Sequence, residues 1–252
     1  MIDCNCFAGP WPFRALPAAA PTEVAALLLD AGFSQVLVSP LEALFFEDPQ
    51  VANERLAALL PAGDPLLLCA VVNPTLANWE RSLAAAHREL GAKAVKLHPN
   101  YHAYAAGDAP TRALLEAAAR AGLPVVIQLR MQDTRSQHPL CKIPDASAEA
   151  ALEAAAAVPA ARVVLGGIRF GEVTALAARI RALPNVWVDL SQVEHADGLR
   201  QTVEAVGADR LLLGTHAPLF NVRSALLKLD EGLLNDNERA AITRGNAERL
   251  LR

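Results

Sequence analysis

The chain has 252 residues, of which 53% are apolar, and it carries a formal net charge of −4 at pH 7. Its length suits one (β/α)8 barrel, and its apolar content can fill a large core. The acidic balance, without a cluster of Lys and Arg, argues against nucleic-acid and anionic-membrane partners. The apolar runs are too short or too Ala-rich to span a bilayer, and no signal-like segment precedes the first strand pattern, so we expect a cytoplasmic protein with no membrane partner.

Short β-branched or Leu-rich runs alternate with Ala-rich segments of helical period, which is typical of βα units around a parallel sheet. Strands are predicted at residues 2–6, 35–39, 67–72, 94–98, 125–130, 162–165, 186–190 and 210–214. Helices are predicted at residues 21–31, 51–60, 78–90, 111–121, 148–158, 173–183, 198–206 and 222–229, with a closing helix at 235–251. Most strands are apolar on both faces, as a sheet buried under helices requires. The sequence therefore predicts an α/β fold, a single-domain (β/α)8 TIM barrel over residues 1–252.

Polar side chains cluster where the predicted strands end. The active sites of barrels lie at these carboxyl ends and in the loops that follow. Alternation along each strand predicts that six side chains point into the barrel mouth: Asn5, Lys96, His98, Gln128, Arg130 and His216. Four more polar side chains follow in the loops: Tyr101, His102, His138 and Arg169. We expect these residues to form one site.

The four cysteines have no spacing typical of a disulfide framework or a Cys-x-x-Cys metal site. Alternation places Cys4 and Cys6 on one face of the first strand. We expect buried free thiols.

Three segments resemble the amidohydrolase superfamily. Residues 2–9, Ile-Asp-Cys-Asn-Cys-Phe-Ala-Gly, resemble its first strand, where Asp-x-His-x-His binds zinc or a similar ion. Residues 209–218, Asp-Arg-Leu-Leu-Leu-Gly-Thr-His-Ala-Pro, resemble its last strand, where a second Asp holds metal and moves a proton. Residues 94–99, Ala-Val-Lys-Leu-His-Pro, resemble the Gly-x-Lys-Leu-His-Pro run of the amidohydrolase-related branch that includes aminocarboxymuconate-semialdehyde decarboxylase. The resemblance implies the same barrel.

The chain departs from this family at the positions of the metal ligands. Asn5 and Phe7 stand for the two first-strand histidines, Gln128 for the fifth-strand histidine, and His216 for the last-strand Asp. The sixth-strand histidine position falls on Gly166 or Gly167. A zinc site needs at least three protein ligands, so we expect no metal and no cofactor. One alternative is a residual metal site built from His98, His102, His138 and His216.

We predict a metal-independent small-molecule hydrolase for an anionic, carboxylate-bearing substrate, with His216 as the proton carrier. The other predicted catalytic residues are His98 and Gln128, and the predicted substrate-binding residues are Asn5, Lys96, Tyr101, His102, Arg130, His138 and Arg169. A metal-independent decarboxylase or lyase and a non-catalytic binding barrel are the alternatives, and a homo-oligomer is left open. An open pocket would favour an enzyme, whereas a mouth plugged by Trp11, Phe13 and Phe220 would favour the non-catalytic barrel. Each histidine also has a purely structural alternative, such as binding a loop carbonyl.

Overall fold

The computed structural model describes residues 1–60, 63 and 65–252. Eight parallel strands follow one another around a sheet in the order β1 to β8. They are β1 (Ile2–Ala8), β2 (Gln35–Pro40), β3 (Leu66–Val71), β4 (Ala94–Leu97), β5 (Val125–Gln128), β6 (Val163–Gly166), β7 (Val186–Asp189) and β8 (Leu211–Leu212). The helices are α1 (Pro21–Asp30), α2 (Gln50–Ala58), α3 (Trp79–Arg88), α4 (Ala109–Ala121), α5 (Ala148–Ala157), α6 (Phe170–Ala182), α7 (Gly198–Val206), α8 (Val222–Glu231), α9 (Asp236–Ala240) and α10 (Asn246–Leu250). The predicted single-domain (β/α)8 barrel is confirmed.

Backbone hydrogen bonds between β1 and the segment after β8 close the sheet. Cys4 N–H donates to Leu213 O, Phe7 N–H to Ala217 O, and His216 N–H to Asn5 O, each at 2.8 Å. The polar residues that follow β8 therefore lie beside those of β1 at the carboxyl ends of the strands.

The apolar core has distinct layers. The larger one fills the space between strands and helices, with side chains such as Val95, Ile127 and Leu165. A second fills the barrel interior away from the mouth, where Leu250 of α10 packs against strand residues that include Val126. The centre of the barrel and its mouth are thereby left to polar side chains.

A bulge in β1 changes which residues face inward. Asp3 pairs with Val36 and Cys6 pairs with Val38, so β1 has one more residue than β2 between these two pairs. Cys4 consequently packs in the barrel interior, whereas Cys6 packs in the layer under the helices. The prediction that these two thiols share a face was wrong, because strict alternation does not hold across a bulge.

Two predicted elements at the end of the chain differ from those observed. The strand predicted at residues 210–214 is only Leu211–Leu212, because Ala208–Arg210 forms a 3-10 turn. The closing helix predicted at 235–251 is interrupted by a π-helical turn at Ala241–Gly245. Within the described ranges, none of the helices has the length and apolar character that crossing a membrane requires.

Candidate functional site

A buried hydrogen-bonded network fills the centre of the barrel below the mouth. Lys96 Nζ donates to Asn5 Oδ1 at 2.8 Å. The Asn5 Nδ2 group donates to Asp189 Oδ2 at 2.6 Å and to Gln128 Oε1 at 3.1 Å. The Gln128 Nε2 group in turn donates to Arg130 O at 2.7 Å. All four network side chains, Asn5, Lys96, Gln128 and Asp189, are fully buried.

Two carboxylates anchor this network. Asp189, at the end of β7, accepts hydrogen bonds from Ser191 and from Gly167 N–H in addition to Asn5. Asp3 accepts from Asn5 N–H and from both the N–H and the hydroxyl of Thr215, which ties the β1 bulge to the strand-8 segment. Burial raises the pKa of Asp3 to about 6, although its hydrogen bonds oppose the shift.

The ring of Phe7 covers the cation of this network. Lys96 Nζ lies 4.0 Å from the ring centroid, a cation–π contact. The other side of the mouth contributes His216, whose ring lies 4.9 Å from that of Phe7 in an edge-on arrangement. Burial lowers the pKa of Lys96, and negative groups that include Asp189 offset part of this effect. Phe7 thus separates the network below from a group of imidazoles above.

Three imidazoles lie at the mouth with unpartnered nitrogens. His98 is fully buried, and neither of its ring nitrogens has a hydrogen-bond partner among the described residues. The ring of His102 lies 6.1 Å from that of His98, and its Nε2 is bonded to Ala43 O whereas its Nδ1 has no partner in the same set. Burial lowers the pKa of His98 well below its usual range and also lowers that of His102.

His216 is held in an unusual conformation. Its Nε2 lies 2.7 Å from Met131 O, which can only accept, so Nε2 carries the proton and Nδ1 is a buried, unpartnered acceptor in the described part of the chain. Burial lowers the pKa of His216 to about 3. Its φ of 57° is left-handed, a conformation that costs a non-glycine residue about 1–2 kcal/mol. A histidine that is neutral at pH 7 therefore occupies a strained position.

An aromatic cover closes over these imidazoles. We define it as Trp11, Phe13, Phe45, Tyr101 and Phe220. Trp11 is 5% exposed and packs against Phe13 and Phe45 at 5.6 and 5.5 Å. Tyr101 extends the cover to Phe45 at 6.0 Å, and Phe220 packs on His216 at 4.8 Å.

Arg130 is already paired within the protein. Its Nη1 and Nη2 bind Glu172 bidentately at 2.7 and 2.6 Å, and its Nε lies 3.0 Å from Asp145 Oδ2. Its side chain is only 2% exposed. The expectation that Arg130 binds a substrate carboxylate therefore needs correction, because its guanidinium is taken up by two carboxylates of the chain.

A cleft of about 480 Å³ opens at the carboxyl ends of strands β5 to β8. Arg169, 40% exposed, lies on its wall with Nη1 3.0 Å from Asp145 Oδ2. Phe220 forms another wall, so one side of its ring faces the cleft and it also packs on His216. His138 lies elsewhere, stacked on Phe13 at 5.3 Å at the edge of the aromatic cover.

The predicted site residues therefore fall into separate groups. Asn5, Lys96 and Gln128 form the buried network, and His98, His102 and His216 form the imidazole group. The remaining predicted residues lie in the cover, beside the cleft or in the Arg130 ion pairs. Asp189 is not among the predicted site residues. Its position suggests a hydrogen bond inside the barrel, and a carboxylate that ends an apolar strand run was the available signal for a site role.

A divalent metal ion does not fit the residues at the network. The groups available there are two amides and an ammonium group, and Asp189, the carboxylate bound to the Asn5 side chain, is saturated by hydrogen bonds. An ammonium group cannot be a ligand and repels a dication. Across residues 1–60, 63 and 65–252, no group of three or more His, Cys, Asp or Glu side chains is arranged to hold a metal ion.

The fold and the polar mouth define a barrel protein of the type that carries its site at the carboxyl ends of the strands. A family profile described as amidohydrolase matches residues 8–252. The chain belongs to the amidohydrolase family, which confirms the resemblance noted in the sequence. No curated protein matches the sequence.

Three solved structures illustrate the similarity of the fold. A 2,6-dihydroxybenzoate decarboxylase in complex with 2,6-dihydroxybenzoate is 16% identical, with a TM-score of 0.74 over 99% of this chain and 98% of that one. A 5-carboxyvanillate decarboxylase from Sphingomonas paucimobilis is 15% identical, with a TM-score of 0.76 over 100% and 98%. A dihydroxybenzoic acid decarboxylase from Polaromonas sp. JS666, with bound manganese and the inhibitor 2-nitroresorcinol, is 19% identical, with a TM-score of 0.76 over 99% and 96%.

Proposed function

We propose that this protein is a metal-independent enzyme that decarboxylates, or acts by a related lyase step on, a small carboxylate-bearing molecule at the barrel mouth. The observation that carries the proposal is the set of four unpartnered ring nitrogens on His98, His102 and His216. Each buried polar group left unpaired costs about 1–3 kcal/mol. No contact within the described fold compensates for this cost, which supports a ligand that both accepts and donates hydrogen bonds there.

An anionic substrate is supported by two exposed arginines at the cleft, whose lining also includes Asp133 and Glu194. Arg169 and Arg135 both line it, and Arg135 is 90% exposed. Both are paired with Asp133 or Asp145 at accessible positions, where a substrate carboxylate can compete for them. The similar barrels named above are decarboxylases of aromatic carboxylates, which supports the same substrate class here.

The basicity of the imidazoles favours decarboxylation over the predicted hydrolysis. Hydrolysis without a metal requires a base that activates water near neutral pH. His216, with a pKa of about 3, is too weak a base for that task. Decarboxylation is instead accelerated when the carboxylate is transferred from water to an apolar environment, and the aromatic cover provides such an environment.

The bond changes of this reaction balance without a further reactant. The C–C bond to the carboxylate breaks, CO2 leaves, and the electron pair is taken up by a carbonyl or aromatic ring of the substrate. A proton from water then reaches the carbon, and the hydroxide ion that remains takes up a proton from the buffer. The Nδ1 atom of His216 orients that water as an acceptor. The N–H of His98 can donate to the substrate oxygen on which charge develops.

A non-catalytic binding barrel is the second candidate, because the aromatic cover plugs the mouth and Arg130 is paired internally. One experiment distinguishes the enzyme from the non-catalytic barrel. Protein treated with a chelator is incubated with a panel of hydroxybenzoates and 3-oxo acids, and CO2 release is measured beside hydrolysis of matched esters and lactones. CO2 release that falls in His216→Asn but persists in His87→Ala, on an outer helix, supports the enzyme. Binding of these acids without turnover would assign the non-catalytic barrel.

A further inference from the structure

We infer that the ammonium group of Lys96 is a built-in cation that takes the place of a divalent metal ion in this barrel, held by Asn5 and balanced by Asp189. The inference concerns how the core of the site is stabilised. It does not depend on which reaction, if any, occurs above Phe7.

The hydrogen bonds fix the direction of the network. Lys96 can only donate, so the atom of Asn5 that faces it must be the carbonyl oxygen. The amide nitrogen of Asn5 then necessarily points to Asp189 and to Gln128 Oε1. Asn5 therefore connects a cation on β4 to an anion on β7. Its carbonyl oxygen accepts from the cation, and its amide nitrogen donates to the anion.

Two glycines leave room for this network. A Cβ at Gly166 would lie 2.5 Å from Gln128 Oε1, and a Cβ at Gly214 would overlap Asp189 Oδ1. Gly166 is one of the two candidates for the sixth-strand ligand position. A longer side chain there would collide with Gln128 in its present place. The same space in the barrel can consequently hold either the ammonium network or a set of metal ligands. This chain has the residues for the ammonium network.

The Lys96 ammonium group has two buried carboxyl groups near it, Asp189 and Asp3. Lys96 and Asp189 are both fully buried, and the Phe7 ring covers the ammonium group at 4.0 Å. A single buried charge would be strongly unfavourable, whereas opposite charges that are connected through the Asn5 amide offset each other. A dication added beside the ammonium group would leave an excess of positive charge, even with Asp3 counted as a second anion.

The first test measures metal in the protein as purified. We expect far less than one equivalent of zinc, manganese, iron or magnesium per chain by elemental analysis. We also expect the melting temperature to be the same with a chelator as with each of these ions added. One equivalent of a divalent ion whose removal lowers the melting temperature would overturn the inference.

The second test is a double-mutant cycle on the two buried charges. Because removing one of two opposite buried charges leaves the other uncompensated, Lys96→Met and Asp189→Asn should each lower the melting temperature by roughly 6–12 °C. The double variant should lose clearly less than the sum of the two. Strict additivity would contradict the pairing of the two charges. Lys93→Met, at an exposed lysine just before the same strand, is the matched control and should change little. If a single variant fails to fold, the metal measurement on the unaltered protein still decides the inference.

Discussion

The carboxylate of Asp189 occupies the space that a side chain at Gly214 would need. Asp189 is held there by Asn5, Ser191 and Gly167, so it cannot withdraw without losing several hydrogen bonds. The glycine that follows β8 is therefore required by a residue on the neighbouring strand rather than by its own backbone angles.

Gly214→Ala should destabilise the protein by about 1–3 kcal/mol, the usual cost of overpacking a buried position. Chemical denaturation followed by circular dichroism measures the change. Gly171→Ala is the control, because nothing lies within 4 Å of a Cβ at Gly171. Equal stability of the two variants would show that Asp189 can move aside at little cost.

His216→Asn should lower turnover roughly tenfold, about the effect of losing one hydrogen bond that orients the protonating water. Asparagine tolerates the left-handed backbone of position 216, so the fold should be retained. The rate of CO2 release is measured beside the melting temperature, with His87→Ala as the control. A variant that keeps full turnover would remove His216 from the reaction.

Asp3→Asn should alter how stability depends on pH. A carboxyl whose pKa rises from 3.8 unfolded to about 6 folded contributes stability that is present below pH 3.8 and is lost as pH rises to about 6. The stability of the variant relative to the natural chain should therefore increase by about 3 kcal/mol from below pH 3 to above pH 7, with about 2 kcal/mol of the increase between pH 4 and pH 6. Urea unfolding across this range measures the difference. Asp30→Asn, which removes an exposed carboxyl group, is the matched control.

Arg130→Met should mainly lower the stability of the protein, whereas Arg169→Gln should mainly weaken carboxylate binding. Arg130→Met leaves Glu172 and Asp145 without their buried partner and should cost about 3 kcal/mol of stability, with little change in carboxylate binding. Arg169→Gln, at an exposed site, should weaken binding of a carboxylate ligand roughly tenfold with little change in stability. Calorimetry on both variants with one benzoate ligand distinguishes them. The reverse pattern would restore Arg130 as the carboxylate-binding residue.

Phe220→Ala should expose His216 to the cleft, because Phe220 is the ring shared between them. Modification of His216 by diethyl pyrocarbonate, followed by peptide mass spectrometry, should be faster than in the natural chain. Phe46→Ala, near α2, is the control. An unchanged rate would mean that the reagent reaches His216 through another part of the aromatic cover.

The barrel could be predicted because its signal is repeated: each buried strand run is followed by a helical one. Period-two alternation also brings Lys96 and Gln128 to the interior. It could not identify the partner of Arg130, since Glu172 lies in the first turn of α6, on a different element. The bulge between Asp3 and Cys6 was equally invisible, because it is fixed by hydrogen bonds of Asp3 to Thr215, 212 residues away.

The imidazoles illustrate the same limit. Their positions at strand ends follow from the sequence, but the protonation of His216 does not. Its low pKa results from burial under Phe7 and Phe220, which come from opposite ends of the chain. A residue expected to exchange protons near pH 7 is thereby kept neutral.

The contrast among the four thiols offers a site for a spectroscopic probe. Burial raises the pKa values of all four thiols, but Cys4, Cys6 and Cys69 are buried, whereas Cys141 is partly exposed in the loop after β5. Cys141 N–H donates to the carbonyl of His138, the residue stacked on Phe13 of the aromatic cover. A nitroxide attached through a thiol reagent should therefore label one position without any cysteine being removed. Its spectrum would report directly whether the cover moves when a carboxylate ligand is added.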